Sequence, residues 1–141
     1  MKAVILAGGI GGRLYPLSTE GNPKQFLTPF NGKSLLEDTI DRAVMVSSSI
    51  HISTQERWAT RIQNIKLPTN PKLIIEPCSR NTGPATAYAI TKFSDDDIVG
   101  FFPSDHYITP NNEFVWSVNV LSLIHIPSPR DRTRSRMPSS A

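Results

Sequence analysis

A chain of 141 residues has room for one domain with a buried core, and its single cysteine, Cys78, excludes an internal disulfide and a cysteine-rich zinc site. The formal charge of +3 is unevenly placed: residues 1–120 hold 11 basic and 11 acidic side chains, whereas residues 121–141 hold 4 and 1. With no basic and apolar leader and no apolar run of membrane-spanning length, the composition points to a soluble, cytoplasmic protein without a membrane partner.

The first element is the aliphatic run AVILA, residues 3–7, bounded by glycine, the pattern of a strand buried on both faces of a parallel sheet. Behind it comes GGIGGR, residues 8–13. A glycine-rich turn at the carboxyl end of a strand lets the backbone approach a ligand, and its N–H groups can converge on phosphate oxygens. Arg13 adds a fixed charge and a planar donor fork. A tight strand exit with no ligand is the alternative, but four glycines in five positions followed by arginine favour phosphate. Two familiar motifs are set aside. Gly9-Ile10-Gly11 starts a dinucleotide G-x-G-x-x-G, yet position 14 is leucine; Gly32-Lys33-Ser34 imitates the end of a P-loop, yet its leading glycine falls at Leu27.

NPKQFL, residues 22–27, places Lys24 where the chain can fold it back toward a bound phosphate, although a lone lysine is ordinarily a solvated surface charge. Residues 34–46 carry Leu35, Leu36, Ile40, Ala43 and Val44 at helical spacing, with Ser34 as N-cap. Residues 49–53 read as a strand, 55–63 as a helix and 72–75 as a strand. EPCSRNTGPA, residues 76–85, then enters a helix over 81–93, with Pro84 in the first turn, where no intrahelical N–H bond is needed. Arg80, Asn81 and Thr82 there offer polar groups to an anion or a base edge; the competing reading is a loop capped by Asn81 or Thr82. Residues 97–102 make a fourth strand stopped at Pro103, Asp105 follows in FFPSDHYI, and residues 112–120 read as a helix. Asp105 either caps a turn or serves a ligand.

Strand and helix in alternation imply a parallel sheet with right-handed crossovers. In the common order 3-2-1-4, the glycine turn and Asp105 emerge together at the carboxyl edge, the crevice where open α/β sheets bind ligands. Phosphate-binding N–H groups beside a carboxylate suggest a nucleotide carrying Mg²⁺, which favours carboxylate plus phosphate oxygens.

LAGGIGGRLYPLS, PKQFL, EPCSRNTGPA and FPSDH, in this order and spacing, resemble the amino-terminal half of bacterial mannose-1-phosphate guanylyltransferases, members of the sugar nucleotidyltransferases. The resemblance covers residues 2–120. It implies an α/β, Rossmann-like nucleotide-binding half with a mostly parallel sheet and helices on both faces, and an enzyme that converts GTP and mannose 1-phosphate into GDP-mannose and pyrophosphate. By the same resemblance, Gly8, Gly9, Gly11, Gly12 and Arg13 hold the nucleotide phosphates. Lys24 lies near the reacting phosphates, Glu76, Arg80, Asn81 and Thr82 line the nucleoside side, and Asp105 binds Mg²⁺, with His106 beside it. The implied catalytic pair is Arg13 and Lys24. Three positions depart from the family pattern: Gly12 replaces a threonine, Tyr15 a frequent tryptophan and Gly83 a common alanine. The family's second half, with the sugar-phosphate pocket and a further metal-binding carboxylate, is not spanned, so the expectation is a truncated, inactive chain. Homo-oligomerisation of the complete protein stays open. The alternatives are a non-catalytic nucleotide-binding or regulatory module of the same fold, or a nucleotidyltransferase for another sugar phosphate.

Residues 121–141 break from this pattern, with prolines, serines and Arg130, Arg132, Arg134 and Arg136 at every second position. The segment has no means of building a core. A disordered basic tail touching nucleic acid is one reading. The favoured one is a non-native segment, because LSLIHIPSPRDRTRSRMPSSA resembles peptides translated from adapter sequence; nucleic acid is therefore disfavoured as a partner.

Overall fold

Strand β1, Lys2–Leu6, lies in the middle of a four-stranded sheet because its side chains are apolar on both faces: Ala3, Val4 and Ile5 are fully buried. The computed structural model describes residues 1–78 and 81–123. In chain order β1 is followed by α1 (Leu35–Val44), β2 (Ile50–Thr54), α2 (Glu56–Gln63), β3 (Lys72–Ile75), α3 (Thr82–Ile90), β4 (Val99–Pro103) and α4 (Asn111–Leu123). All pairings are parallel, in the order β3-β2-β1-β4 anticipated from the alternation of elements. Registers such as Val4↔His51, His51↔Lys72 and Val4↔Phe101 set which residues share a face.

One face carries Ala3, Ile5, Ile50 and Ile52 and packs against Leu36, Ile40 and Ala43 of α1 and Trp58 and Ile62 of α2. Full burial of each large aliphatic side chain here contributes about 1.5–3 kcal/mol. Phe102 of β4 meets Phe114 of α4 edge-on, at 5.8 Å between ring centroids, so α4 joins this layer. The opposite face is covered by α3, with Val4, Ile74 and Ala89 as its buried core and Tyr88, Phe93 and Phe101 packed around them. Helices thus lie on both faces.

Helix α1 starts as expected. Ser34 accepts from the Glu37 N–H at 3.2 Å, and the Glu37 carboxylate accepts from the Ser34 N–H at 2.7 Å, a reciprocal capping box. Gly32, with φ of 77°, turns the chain into that cap. Helix α3 departs from the competing reading of a loop capped by the Asn81 side chain, and from the expected bounds. Asn81 occupies the N-cap position with φ of 41°, but its side chain makes no capping hydrogen bond, and the helix ends at Ile90 rather than 93. Strands β1 and β2 each begin and end within one residue of the expected bounds, and α4 continues to Leu123. Among the described residues no helix is long and apolar enough to cross a membrane. Arg80 and the arginines of the basic tail lie outside the described residues.

Candidate functional site

Because β1 and β4 are neighbours, the chain after Ala7 and the chain after Pro103 leave the sheet side by side, tied by the Ser104 N–H donating to Leu6 O at 3.3 Å. This adjacency brings the glycine turn and Asp105 together, and Lys24 completes the group. Lys24 opens a 3-10 turn, Lys24–Phe26, and its N–H donates to Ile10 O at 3.1 Å. The side chain runs across Gly11 and ends on Asp105, with Nζ 2.7 Å from Oδ2. Both side chains keep partial solvent access, 22% and 28%, so this ion pair adds at most about 1 kcal/mol to stability. Its interest lies in where it stands: a cation and a carboxylate meet at the lip of a glycine-rich turn.

Gly11 is required there twice over. Its φ of 83° is unfavourable for any residue with a side chain, and a Cβ would fall 2.7 Å from Lys24 Cβ. Its carbonyl also accepts from the Ser18 hydroxyl. Gly12 and Arg13 follow in a 3-10 turn, Gly12–Leu14. Arg13 is exposed, and among the described residues it has no ion-pair partner, leaving its guanidinium open to an anion.

A layer of buried and half-buried polar groups holds the turn from below. Ala7 O accepts from Gln25 Nε2 at 2.9 Å and from Thr54 Oγ1 at 3.1 Å, and Gly8 O accepts from Gln55 Nε2. Glu76 belongs to this layer: its Oε1 accepts from Ser53 Oγ at 2.9 Å, and both carboxylate oxygens lie 2.6 Å from where a Gly8 Cβ would sit. The structure therefore sets Glu76 against the first residue of the glycine turn. Gly9 lies beside the Lys24 stem, 3.9 Å from its Cε to a notional Cβ. Asn81 and Thr82 are exposed at the start of α3, beyond β3. His106 is exposed and gives its carbonyl to Arg42 Nη2, while the Phe30 ring lies 4.2 Å from that of Tyr107.

Sequence reasoning picked out the turn, Lys24 and Asp105 but not Ser18, Gln25, Arg42, Ser53, Thr54 or Gln55. A signal existed for two groups: Gln25 sits inside the KQF stretch, and the polar pair Ser53-Thr54 ends a fully buried strand with Gln55 directly after it. No such signal marks Arg42.

Among the described residues no three His, Cys, Asp or Glu side chains cluster closely enough to hold a metal by themselves. Asp105 offers one carboxylate, which fits the usual Mg²⁺ mode of one or two carboxylates completed by phosphate oxygens and water, and does not fit an all-protein cage. A cavity of about 440 Å³ lies elsewhere, lined by Lys2, His51, Lys72, Tyr88, Lys92 and others, at the amino ends of the strands. Burial, and then Lys72, pull the His51 imidazole below its ordinary pKa.

The chain is similar in sequence and in fold to known proteins. Mannose-1-phosphate guanylyltransferase of Escherichia coli is 39% identical over 122 residues, covering 80% of this chain and 25% of that protein. The Klebsiella pneumoniae protein of the same name is 37% identical over 121 residues, again 80% and 25%. A structure from Thermus thermophilus, described as a mannose-1-phosphate geranyltransferase, superposes with a TM-score of 0.67 at 28% identity, covering 84% of this chain and 36% of that one. The chain thus spans about a quarter of the length of the relatives it matches in sequence. The nucleotidyl transferase family pattern runs through residues 2–118, across every strand of the sheet and the loops at its carboxyl edge, and the chain belongs to that family.

Proposed function

We propose that this chain carries the nucleotide-phosphate side of guanylyl transfer, in which GTP and mannose 1-phosphate give GDP-mannose and pyrophosphate. The observation that carries the reading is the Lys24–Asp105 pair, 2.7 Å apart beside Gly11, where a phosphate-binding turn, a cation and a metal-competent carboxylate converge. The names of the relatives supply the sugar phosphate and the guanylyl group.

In this reaction an oxygen of mannose 1-phosphate forms a bond to the α-phosphorus of GTP, and the bond to the bridging oxygen breaks, releasing pyrophosphate. The sugar phosphate is already ionised, so no general base is needed. The residues of this chain act by position and charge. The N–H groups of the turn at Gly8, Gly9, Gly11 and Gly12 face the phosphates, Arg13 meets the leaving pyrophosphate, and Lys24 meets the α-phosphate. Asp105 would hold Mg²⁺, which supplies charge neutralisation when bound. Arg80, Asn81, Thr82 and Glu76 line the nucleoside side, with Glu76 placed next to Gly8.

Calorimetric titration of GTP with Mg²⁺ into the 141-residue chain tests the binding half, with weak binding expected. Turnover is expected to need the sugar-phosphate half that the relatives possess and this chain does not span. In a complete protein, Asp105→Asn should lower turnover about a hundredfold, near 3 kcal/mol. Near-normal turnover with the fold intact would assign the metal to another residue. A clear preference for UTP or dTTP would refute the guanylyl assignment.

A further inference from the structure

Arg42 is buried in α1 with 4% of its surface exposed, although its neighbours Asp41 and Lys33 form an ordinary surface ion pair one step away. Its Nη2 donates to the Thr39 hydroxyl at 3.1 Å and to the carbonyl of His106. The Thr39 hydroxyl in turn donates to Leu35 O at 2.8 Å, so the guanidinium is braced on its own helix and extends from there to a residue 64 positions further along the chain. His106 directly follows Asp105.

The same short loop has two other anchors. On the amino side, the Ser104 N–H holds Leu6 O; on the carboxyl side, the Tyr107 ring rests on Phe30. Between them, and beside the ion pair that Asp105 itself makes with Lys24, the Arg42 bond holds the backbone on the carboxyl side of Asp105. Burying a guanidinium is costly, and an apolar side chain of similar size would serve packing alone as well or better. Burial pulls the Arg42 pKa down, and the carboxylates of Asp38 and Asp41 oppose that effect. What an apolar side chain cannot supply is a directed donor to the loop.

We infer that Arg42 is a positioning residue: by holding the His106 carbonyl it fixes where the Asp105 carboxylate stands relative to Lys24 and the glycine turn. The inference rests on the reading of Asp105 as the group that receives the metal of a metal–nucleotide complex. Groups that orient a metal ligand without touching the metal typically alter affinity about 10- to 100-fold when removed. Arg42 touches neither phosphate nor metal in this arrangement, so its removal should act through the metal and leave metal-free GTP binding alone.

The test uses Mn²⁺ as a paramagnetic probe, with its binding to the 141-residue chain in the presence of GTP followed by water-proton relaxation. Asp105→Asn is expected to abolish the bound Mn²⁺ signal. Arg42→Met, which keeps the length and apolar bulk but not the donors, is expected to raise the Mn²⁺ dissociation constant about tenfold or more, with metal-free GTP affinity unchanged. Arg42→Lys should recover part of the affinity. Circular dichroism establishes that each variant is folded. Should Arg42→Met fail to fold, Arg42→Gln, polar but too short to span to His106, is read by the same criterion. Wild-type Mn²⁺ affinity in either folded variant, while Asp105→Asn loses it, overturns the inference and leaves the Asp105 reading standing. Undiminished binding in Asp105→Asn, or no Mn²⁺ signal from the unsubstituted chain, removes that reading and the inference with it.

Discussion

Replacing Gly11 by alanine probes the contact on which the site is built. Two penalties apply. An L-residue held at φ of 83° costs about 1–2 kcal/mol. The new Cβ would also lie 2.7 Å from Lys24 Cβ, which cannot swing aside without moving its backbone, and 2.9 Å from Lys24 Cγ and Cδ. Overpacking of this kind costs about 1–3 kcal/mol. Alanine restricts the unfolded chain and returns about 0.4–1 kcal/mol. The net expectation is a loss of about 1–4.6 kcal/mol in urea-induced unfolding. A double-mutant cycle separates the causes: in a Lys24→Gly background the steric part vanishes and only the dihedral cost less the unfolded-state return, about 0–1.6 kcal/mol, remains. A Gly11→Ala variant within about 0.5 kcal/mol of wild type, or an equal cost in both backgrounds, would refute the account of Gly11 as the corridor for Lys24.

Gly12 should behave in the opposite way. A Cβ there meets nothing within 4 Å and its φ is not positive, so Gly12→Thr is expected to be neutral or to stabilise by up to about 1 kcal/mol in the same assay. A loss larger than that would show that the turn needs glycine at position 12 as well. Arg13→Ala should leave stability unchanged, because the side chain is exposed, yet weaken GTP binding about tenfold or more by calorimetry; unaltered affinity would remove Arg13 from the phosphate site. His51 is nine-tenths buried, edge-on to Phe93 at 4.8 Å, with its pKa lowered by burial and then by Lys72. The unfolded chain then takes up the proton first. The His51 contribution to stability is complete above about pH 6.5, declines as pH falls, and levels off below the folded pKa. His51→Leu should flatten that part of the profile, and an identical slope in the variant just below about pH 6.5 would exclude His51 as its source.

Much of the fold could be read from hydrophobic pattern, because burial on both faces demands it. AVILA had to be a central strand, and helical spacing of Leu36, Ile40 and Ala43 gave α1 a single apolar stripe for the sheet. The ends of elements were less legible: hydrogen bonding decides them, and apolar runs stop a residue early or late. Asn81 illustrates the limit, since its residue type favours a cap but its φ of 41° turns the side chain to no N–H of α3.

The glycine turn and Asp105 were visible as chemistry, and strand order alone made them neighbours. What no local pattern carried was the scaffold beneath them. Gln25 and Thr54 meet on the carbonyl of Ala7, Ser53 holds Glu76 against Gly8, and Arg42 holds the carbonyl of His106, each across 18 to 64 residues of chain. Such bonds form because a parallel sheet gathers the ends of its strands at one edge, where every backbone group leaving the ladder needs a new partner. Lys24 makes the same point: along the chain it is one charge among surface charges, and it becomes part of a site only where Gly11 leaves it room to reach Asp105.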